Sequence, residues 1–289
     1  ENVLLGNNVA AALTTGSLNI IIGDNAAAGA DVTGNGNVIV GDNAGYTLTS
    51  GASNTFIGYS CGNQITTANF ITGVGSGCLD ALTTGASNVA VGYQAGGAIT
   101  TGASNTIMGY EAGDALTTGG SNVAFGSGAL TANTTGANNV AIGTNAMATD
   151  VYSNGTVAVG YQALYTQNYG SATDSYNTAL GYTAGYALTT GTSNTFIGAL
   201  SGDATTTSTE NTAVGESALT LNTTGGYNTA VGRNALAANT TADQGTAIGR
   251  LALYGNTTGA NNTAVGSSAL QTNSTGANNV AVGYTALTA

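Results

Sequence analysis

The chain has 289 residues, 46 of them Gly, with no Pro, Trp, His or Lys, and two Arg against 13 acids give a net charge of −11. Without His and with only two Cys, general acid–base catalysis, an activated nucleophile and a transition-metal site all lack material, so no enzyme, catalytic residue, cofactor or metal is expected. Cations confined to Arg233 and Arg250 leave nothing to neutralise phosphates, and the longest apolar runs, such as Ile20-Ile21-Ile22, are too short to cross a bilayer, so neither nucleic acid nor membrane insertion is expected.

Leu, Ile, Val and Phe make up roughly a fifth of the chain, close to the level at which disorder is the default. Order must come from arrangement. A pentad of the type Asn-Thr-Ala-Val-Gly recurs seventeen times, its closing glycine running from Gly6 and Gly23 to Gly266 and Gly283; fourteen intervals are 17 residues, one (Gly23 to Gly41) is 18 and one (Gly160 to Gly181) is 21. Residues 1–289 thus read as one repeat array. Numbered from the Asn, the unit is Asn-Thr-Ala-Val-Gly-x-x-Ala-Leu/Gly-x-x-x-Thr-Thr-Gly-x-x, too short for a helix, a turn and a strand together. A pentad β-branched or apolar at positions 2 to 4 and closed by Gly predicts short strands and turns, one unit forming one coil of an all-β parallel β-solenoid. Seventeen coils stacked about 4.8 Å apart predict a rod of about 80 Å.

Position 4 is apolar in every copy, so it is expected to face the interior, with position 2 on the same side by the period of a strand. Position 8 is almost always small, as a thin interior requires. Where position 9 is Gly, position 12 is usually Leu or Ile (Gly45 with Leu48, Gly96 with Ile99). Where it is Leu, position 12 is usually Asn (Leu219 with Asn222, Leu236 with Asn239), which reads as a conserved core volume. Leu79 with Leu82, and Gly202 with Thr205, break the pattern. Position 3 is expected to face outward, and its larger members Phe56, Ile107 and Phe196 then mark an assembly face packing against copies of the chain. The alternative is a tolerated row of surface alanines on a monomer.

In chain order, Asp24 and Asp42 at position 6, with Asp31, Asn35 and Asn37 between them, form the one oxygen-rich cluster, better read as hydrated surface carboxylates than as a calcium site. Cys61 and Cys78 share position 8 of adjacent coils and are candidate stacked thiols. Core thiols in place of Ala is the first reading, a disulfide the second. Asn-x-Thr triplets at Asn133, Asn222, Asn239 and Asn256 match the N-glycan acceptor pattern, yet in a repeat they read as turn chemistry. The four-residue insertion near 161–177 carries Tyr165, Tyr169, Asp174 and Tyr176, a candidate contact loop for a receptor or glycan, with a neutral bulge as the bland reading. Tyr59, Tyr93, Tyr110, Tyr161, Tyr182 and Tyr284 share position 6 and predict aromatic stacks along one edge. Glu1 precedes a pentad directly and Ala289 stops at position 11, which predicts either an excerpt of a longer fibre or end-to-end stacking.

Asn139-Val140-Ala141-Ile142-Gly143, Asn88-Val89-Ala90-Val91-Gly92 and Asn211-Thr212-Ala213-Val214-Gly215 resemble the repeats of trimeric autotransporter adhesin heads, and Asn228-Thr229-Ala230-Val231-Gly232 followed by Asn239-Thr240-Thr241 is similar to repeats in phage-type tail fibres. The resemblance implies a left-handed β-roll, three chains along an axis, and a role in attachment or spacing. This unit is longer than the adhesin head repeat.

The expected function is therefore a structural, protease-resistant extracellular fibre or filament protein at a cell or virion surface, partnered by itself as a lateral trimer or by end-to-end stacking. A binding module presenting the insertion or the Thr-Thr ladder to a receptor or glycan is the alternative. Ice is disfavoured, because Thr14-Thr15, Thr83-Thr84 and Thr223-Thr224 offer one outward rank each. A hydrolase would need Asp80, Asp114 and Asp203, which share position 10 in separated coils, to be brought together by assembly.

Overall fold

The computed structural model describes residues 1–288, so Ala289, where the last repeat stops, lies outside the described residues. Among the described residues there is no helix. The chain is an all-β parallel β-solenoid of about 16 turns with a spacing of about 17 residues. It divides into two compact units, Glu1–Asn139 and Val140–Ala289.

In the first unit eight pentad strands, Val3–Leu5, Ile20–Ile22, Val38–Val40, Thr55–Ile57, Thr72–Val74, Val89–Val91, Thr106–Met108 and Val123–Phe125, pair in parallel with matching positions in register. The second unit does the same with nine, from Val140–Ile142 and Val157–Val159 through Thr178–Leu180 to Val280–Val282. Each irregular interval adds a short parallel pair: Ala12–Leu13 with Asp31–Val32, and Ser153–Asn154 with Thr173–Asp174.

The glycine that closes the pentad is dictated by backbone. Gly92 has φ +139°, and a Cβ there would run into the carbonyl of Gly109 one coil on. Positions 7 and 9 then turn the chain in the left-handed region, as at Ser217 and Leu219, both at φ 55°. Main-chain hydrogen bonds run from coil to coil on every side: Val89 N–H to Asn105 carbonyl at 2.8 Å, Gly96 to Ala112 at 2.9 Å, and Thr83 to Thr100 at 2.8 Å. So short a repeat can order because each coil's polar backbone is satisfied by its neighbour.

Inside and outside of the strand are the reverse of the sequence expectation. Position 3 is buried from Ile21 through Ala281, and Phe56, Ile107 and Phe196, expected on an assembly face, are at 0% exposure. Positions 2 and 4 point outward. The reason is girth: positions 3, 8, 9, 12 and 15 converge on one narrow interior, which holds a small residue at position 8 and one or two large side chains shared among positions 3, 9 and 12.

The volume compensation holds, over two coils rather than one. A large residue at position 3 lies over the position 9 glycines of its own coil and the preceding one. A Cβ on Gly62 or Gly45 would stand 2.9 or 3.3 Å from the Phe56 ring, and on Gly113 or Gly96 it would stand 3.0 or 3.2 Å from Ile107. Phe196 covers Gly202 and Gly185 in the same way. One exception now resolves: Phe196 fills the coil of Gly202 and Thr205, while in the coil of Leu79 and Leu82, both fully buried, position 3 is Gly73, which faces Cys61, Cys78 and Phe56.

The Asn of the pentad is buried and forms a ladder. In unit two, Asn211 and Asn228 N–H donate to the Oδ1 of Asn194 and Asn211 at 3.0 Å, while each amide nitrogen reaches the position 15 carbonyl of its own repeat, as Asn228 does to Ala242 at 2.9 Å. Ile71, Thr156 and Gly245 interrupt the sequence of asparagines.

Candidate functional site

The outward face of the pentad sheet is uncharged along its length in both units. Position 4 presents Ile57 at 40% exposure and Phe125 at 52% in the first unit, and Leu180 at 47% and Ile248 at 42% in the second, with half-buried Val, Ile and Met between them. Position 2 stands beside it, and in the second unit it is Thr in six successive coils, Thr178 through Thr263. Nine rungs at about 4.8 Å make the second unit's strip about 40 Å long and about 10 Å wide, the few hundred Å² at which an apolar surface patch on a monomer becomes notable. The outward ladder is thus real, but it belongs to positions 2 and 4.

The insertion does not simply protrude. Thr173–Asp174 pairs with Ser153–Asn154 of the preceding coil, and Tyr169 is drawn inside at 5% exposure. Its O–H donates to the Gly191 carbonyl at 2.6 Å and accepts from the Asn177 amide at 3.0 Å. Burial, with Asp150 nearby, pushes that phenol up, so it stays protonated. Tyr165 is half-buried and stacks on Tyr186 with centroids 5.4 Å apart. Asp174 and Tyr176 remain outside, joined by the Tyr176 O–H to Asp174 Oδ2 contact at 3.3 Å, with Tyr176 64% exposed. The candidate contact loop therefore shrinks to Asp174 and Tyr176. Position 6 rings stack as expected at Tyr93–Tyr110 and Tyr161–Tyr182, both at 5.4 Å.

Behind the insertion lies a buried polar group that the sequence reading missed. Asp150 is fully buried at position 12; its Oδ1 accepts from the Ser153 and Tyr152 N–H groups, and its Oδ2 accepts from Gln167 Nε2 at 2.9 Å and from the Ser153 hydroxyl. Gln167 Oε1 in turn accepts from Asn177 at 3.0 Å, and Thr156 shares a hydroxyl contact with Ser175. Burial raises the Asp150 carboxyl, and the hydrogen bonds from Ser153 and Gln167 only partly offset it. Asp150 and Gln167 replacing Leu, Ile or Asn at position 12, with Thr156 in place of the pentad Asn, was the signal available.

Cys61 and Cys78 are free and fully buried, with Sγ atoms 2.7 Å apart. Burial and the partner sulfur push the Cys61 thiol far up. Asn37, counted among the oxygen ligands near Asp24 and Asp42, instead lies in the buried ladder, donating to Asn19 Oδ1 at 3.0 Å, and Asn35 accepts from Ser17. The Asn-x-Thr asparagines are interior: Asn222, Asn239 and Asn256 donate to the position 15 carbonyls of their own coils at 2.9, 3.1 and 2.9 Å, and Asn133 is at 0% exposure. No oligosaccharide fits on them in the folded chain. Asp80 and Asp114 in the first unit and Asp203 in the second are half-buried and raised by that burial, and Asp203 accepts from Thr220 at 2.6 Å. Among the described residues no helix is long and apolar enough to cross a membrane. No protein-family model, curated protein or solved structure matches the chain.

Proposed function

We propose that the chain is a structural protein of the fibre or filament kind, serving surface attachment or spacing outside the cell, and that copies associate side by side through the outward ladder of positions 2 and 4. The observation that carries this reading is that ladder: uncharged, apolar at every position 4, and left open to solvent in a chain whose net charge is −11. All the acids but Asp150 stand on other sides of the coil or in turns, so like-charge repulsion between copies is weakest where the ladders meet. A sheet covered on both faces explains a run that is apolar at positions 3 and 4 and uncharged, Val, Ile or Thr, at position 2 better than a sheet wetted on one. The resemblance to adhesin heads and tail fibres points to three copies about an axis and supports non-enzymatic work.

The test is light scattering and electron microscopy of the purified chain beside Val214→Lys/Val231→Lys. Trimers or laterally bundled filaments that dissociate to single chains in the double variant are the expected result. A wild-type chain that stays single at micromolar concentration overturns lateral assembly. Attention then passes to the second reading, a binding module, which rests on the exposed Asp174–Tyr176 pair.

A further inference from the structure

The column at position 8 is Ala in most coils, yet it holds sulfur in two successive ones. Their strands are in register, Thr55 on Thr72 and Phe56 on Gly73, and matching positions in adjacent parallel coils lie about 4.8 Å apart, within the Cα separation that a disulfide spans. Two sulfurs need more room than two methyl groups. The second of these coils is also the one in which the interior strand position is glycine, and a Cβ on Gly73 would stand 2.7 Å from Cys61 Sγ and 3.3 Å from Cys78 Sγ. In the same coil the asparagine ladder stops. Ile71 N–H donates to Asn54 Oδ1 at 2.9 Å, but Ile71 has no side-chain carbonyl to pass on to the coil of Asn88.

From these observations we infer that Cys61 and Cys78, separate thiols with Sγ atoms 2.7 Å apart in this structure, close on oxidation to a disulfide that staples two coils where the side-chain ladder is interrupted, and that Gly73 supplies its space. The oxidant is a low-molecular-weight disulfide of the glutathione class. One cysteine thiolate attacks it and releases one small thiol; the second cysteine thiolate then attacks the mixed disulfide and releases the other, so two protein thiols and one small disulfide become one cystine and two small thiols. A fully buried pair admits no mixed disulfide, so closure belongs to the stage at which the coil is still open. The inference stands whether or not copies associate laterally.

The experiment refolds the full chain from denaturant in oxidised and reduced glutathione, then denatures it, alkylates it with iodoacetamide and measures the intact mass. A chain lighter by two hydrogens and carrying no alkyl group is expected, with two alkyl groups appearing after reduction. The denaturant midpoint should fall on reduction in wild type and stay fixed in Cys61→Ala/Cys78→Ala, a variant that uses the residue found in this column elsewhere. Two alkyl groups on a chain refolded with strand content equal to that variant's would overturn the disulfide. Gly73→Ala should raise the alkylatable fraction severalfold, with Cys61→Ala/Gly73→Ala folding like Cys61→Ala. Equal closure with and without glycine would overturn the role of Gly73.

Discussion

Coils of the first unit from Asn37 to Asn105 and coils of the second from Asn211 to Asn256 fill the same cross-section differently. In the first region, apart from the coil that carries Gly73 at position 3 and Leu79 at position 9, bulk enters from position 12 and in most coils from position 3 as well, as in Phe56 with Ile65 or Ile107 with Leu116, over glycine at position 9. In the second, Leu219, Leu236 and Leu253 at position 9 fill the space, position 3 is Ala, and position 12 is an asparagine that hydrogen-bonds along the coil stack, as Asn239 does to Asn222 at 2.8 Å. The first solution gains apolar burial. The second accepts Leu in a left-handed backbone conformation and gains a polar ladder in its place. One backbone therefore supports two interiors, provided that volume is exchanged among positions 3, 9 and 12 together.

The strongest way to break that comparison is Phe56→Ala, which empties the space over Gly45 and Gly62 and is expected to destabilise by about 3–5 kcal/mol in denaturant unfolding. Adding Gly62→Leu should recover more than half of the loss. Gly62 sits at φ 61°, close to the values that Leu219 and Leu236 adopt at the same position. Simple additivity of the two changes in a double-mutant cycle would refute the shared-volume rule.

Next in size is the polar ladder. Asn239→Ala removes donors to Asn222 Oδ1 and the Ala242 carbonyl in a buried setting and should cost about 1–3 kcal/mol. The same unfolding series measures it, and a loss below a few tenths would mean that the second interior is held by Leu alone.

A third region, around Asp150, sharpens the contrast through pH. Burial raises this carboxyl above its unfolded value, so the folded chain holds the proton more tightly. The stabilisation is complete below the unfolded carboxylate value of about 3.9 and is lost as pH rises through the folded one. Asp150→Asn should flatten that part of the stability profile relative to wild type, while Asp80, Asp114 and Asp203, shifted in the same direction, continue to contribute in both proteins. Parallel profiles would show that Asp150 titrates as if unburied.

The smallest effect is expected outside the coil. Arg233 Nε meets Glu216 at 3.0 Å with both side chains more than half exposed, so Arg233→Ala should change stability by less than about 1 kcal/mol and less still in salt.

Much of this was legible in residue order. The period, the pentad strands and the turn glycines followed from comparing copies, and the exchange between positions 9 and 12 pointed to one interior volume. The candidate site was less legible. Tyr169 looked like a loop residue because an insertion has no register of its own, and only its hydrogen bonds to Gly191 and Asn177 show that it was absorbed. Asp150 went unremarked because a single acid in a repeat reads as surface until its column is known to be interior.

By itself the sequence determined that the chain stacks a short repeat, where each pentad strand lies, and that alternate strand residues share a face. Only the tertiary structure decided which face is inside. A period of two specifies alternation but not its sign, and a three-residue strand that is uncharged on both sides, with β-branched Thr as its one polar residue type, gives no charged rank to break the tie. The sign is set by the direction in which the turns at positions 7 and 9 close the coil, and by an interior too narrow to take a branched aliphatic residue at two strand positions of every coil.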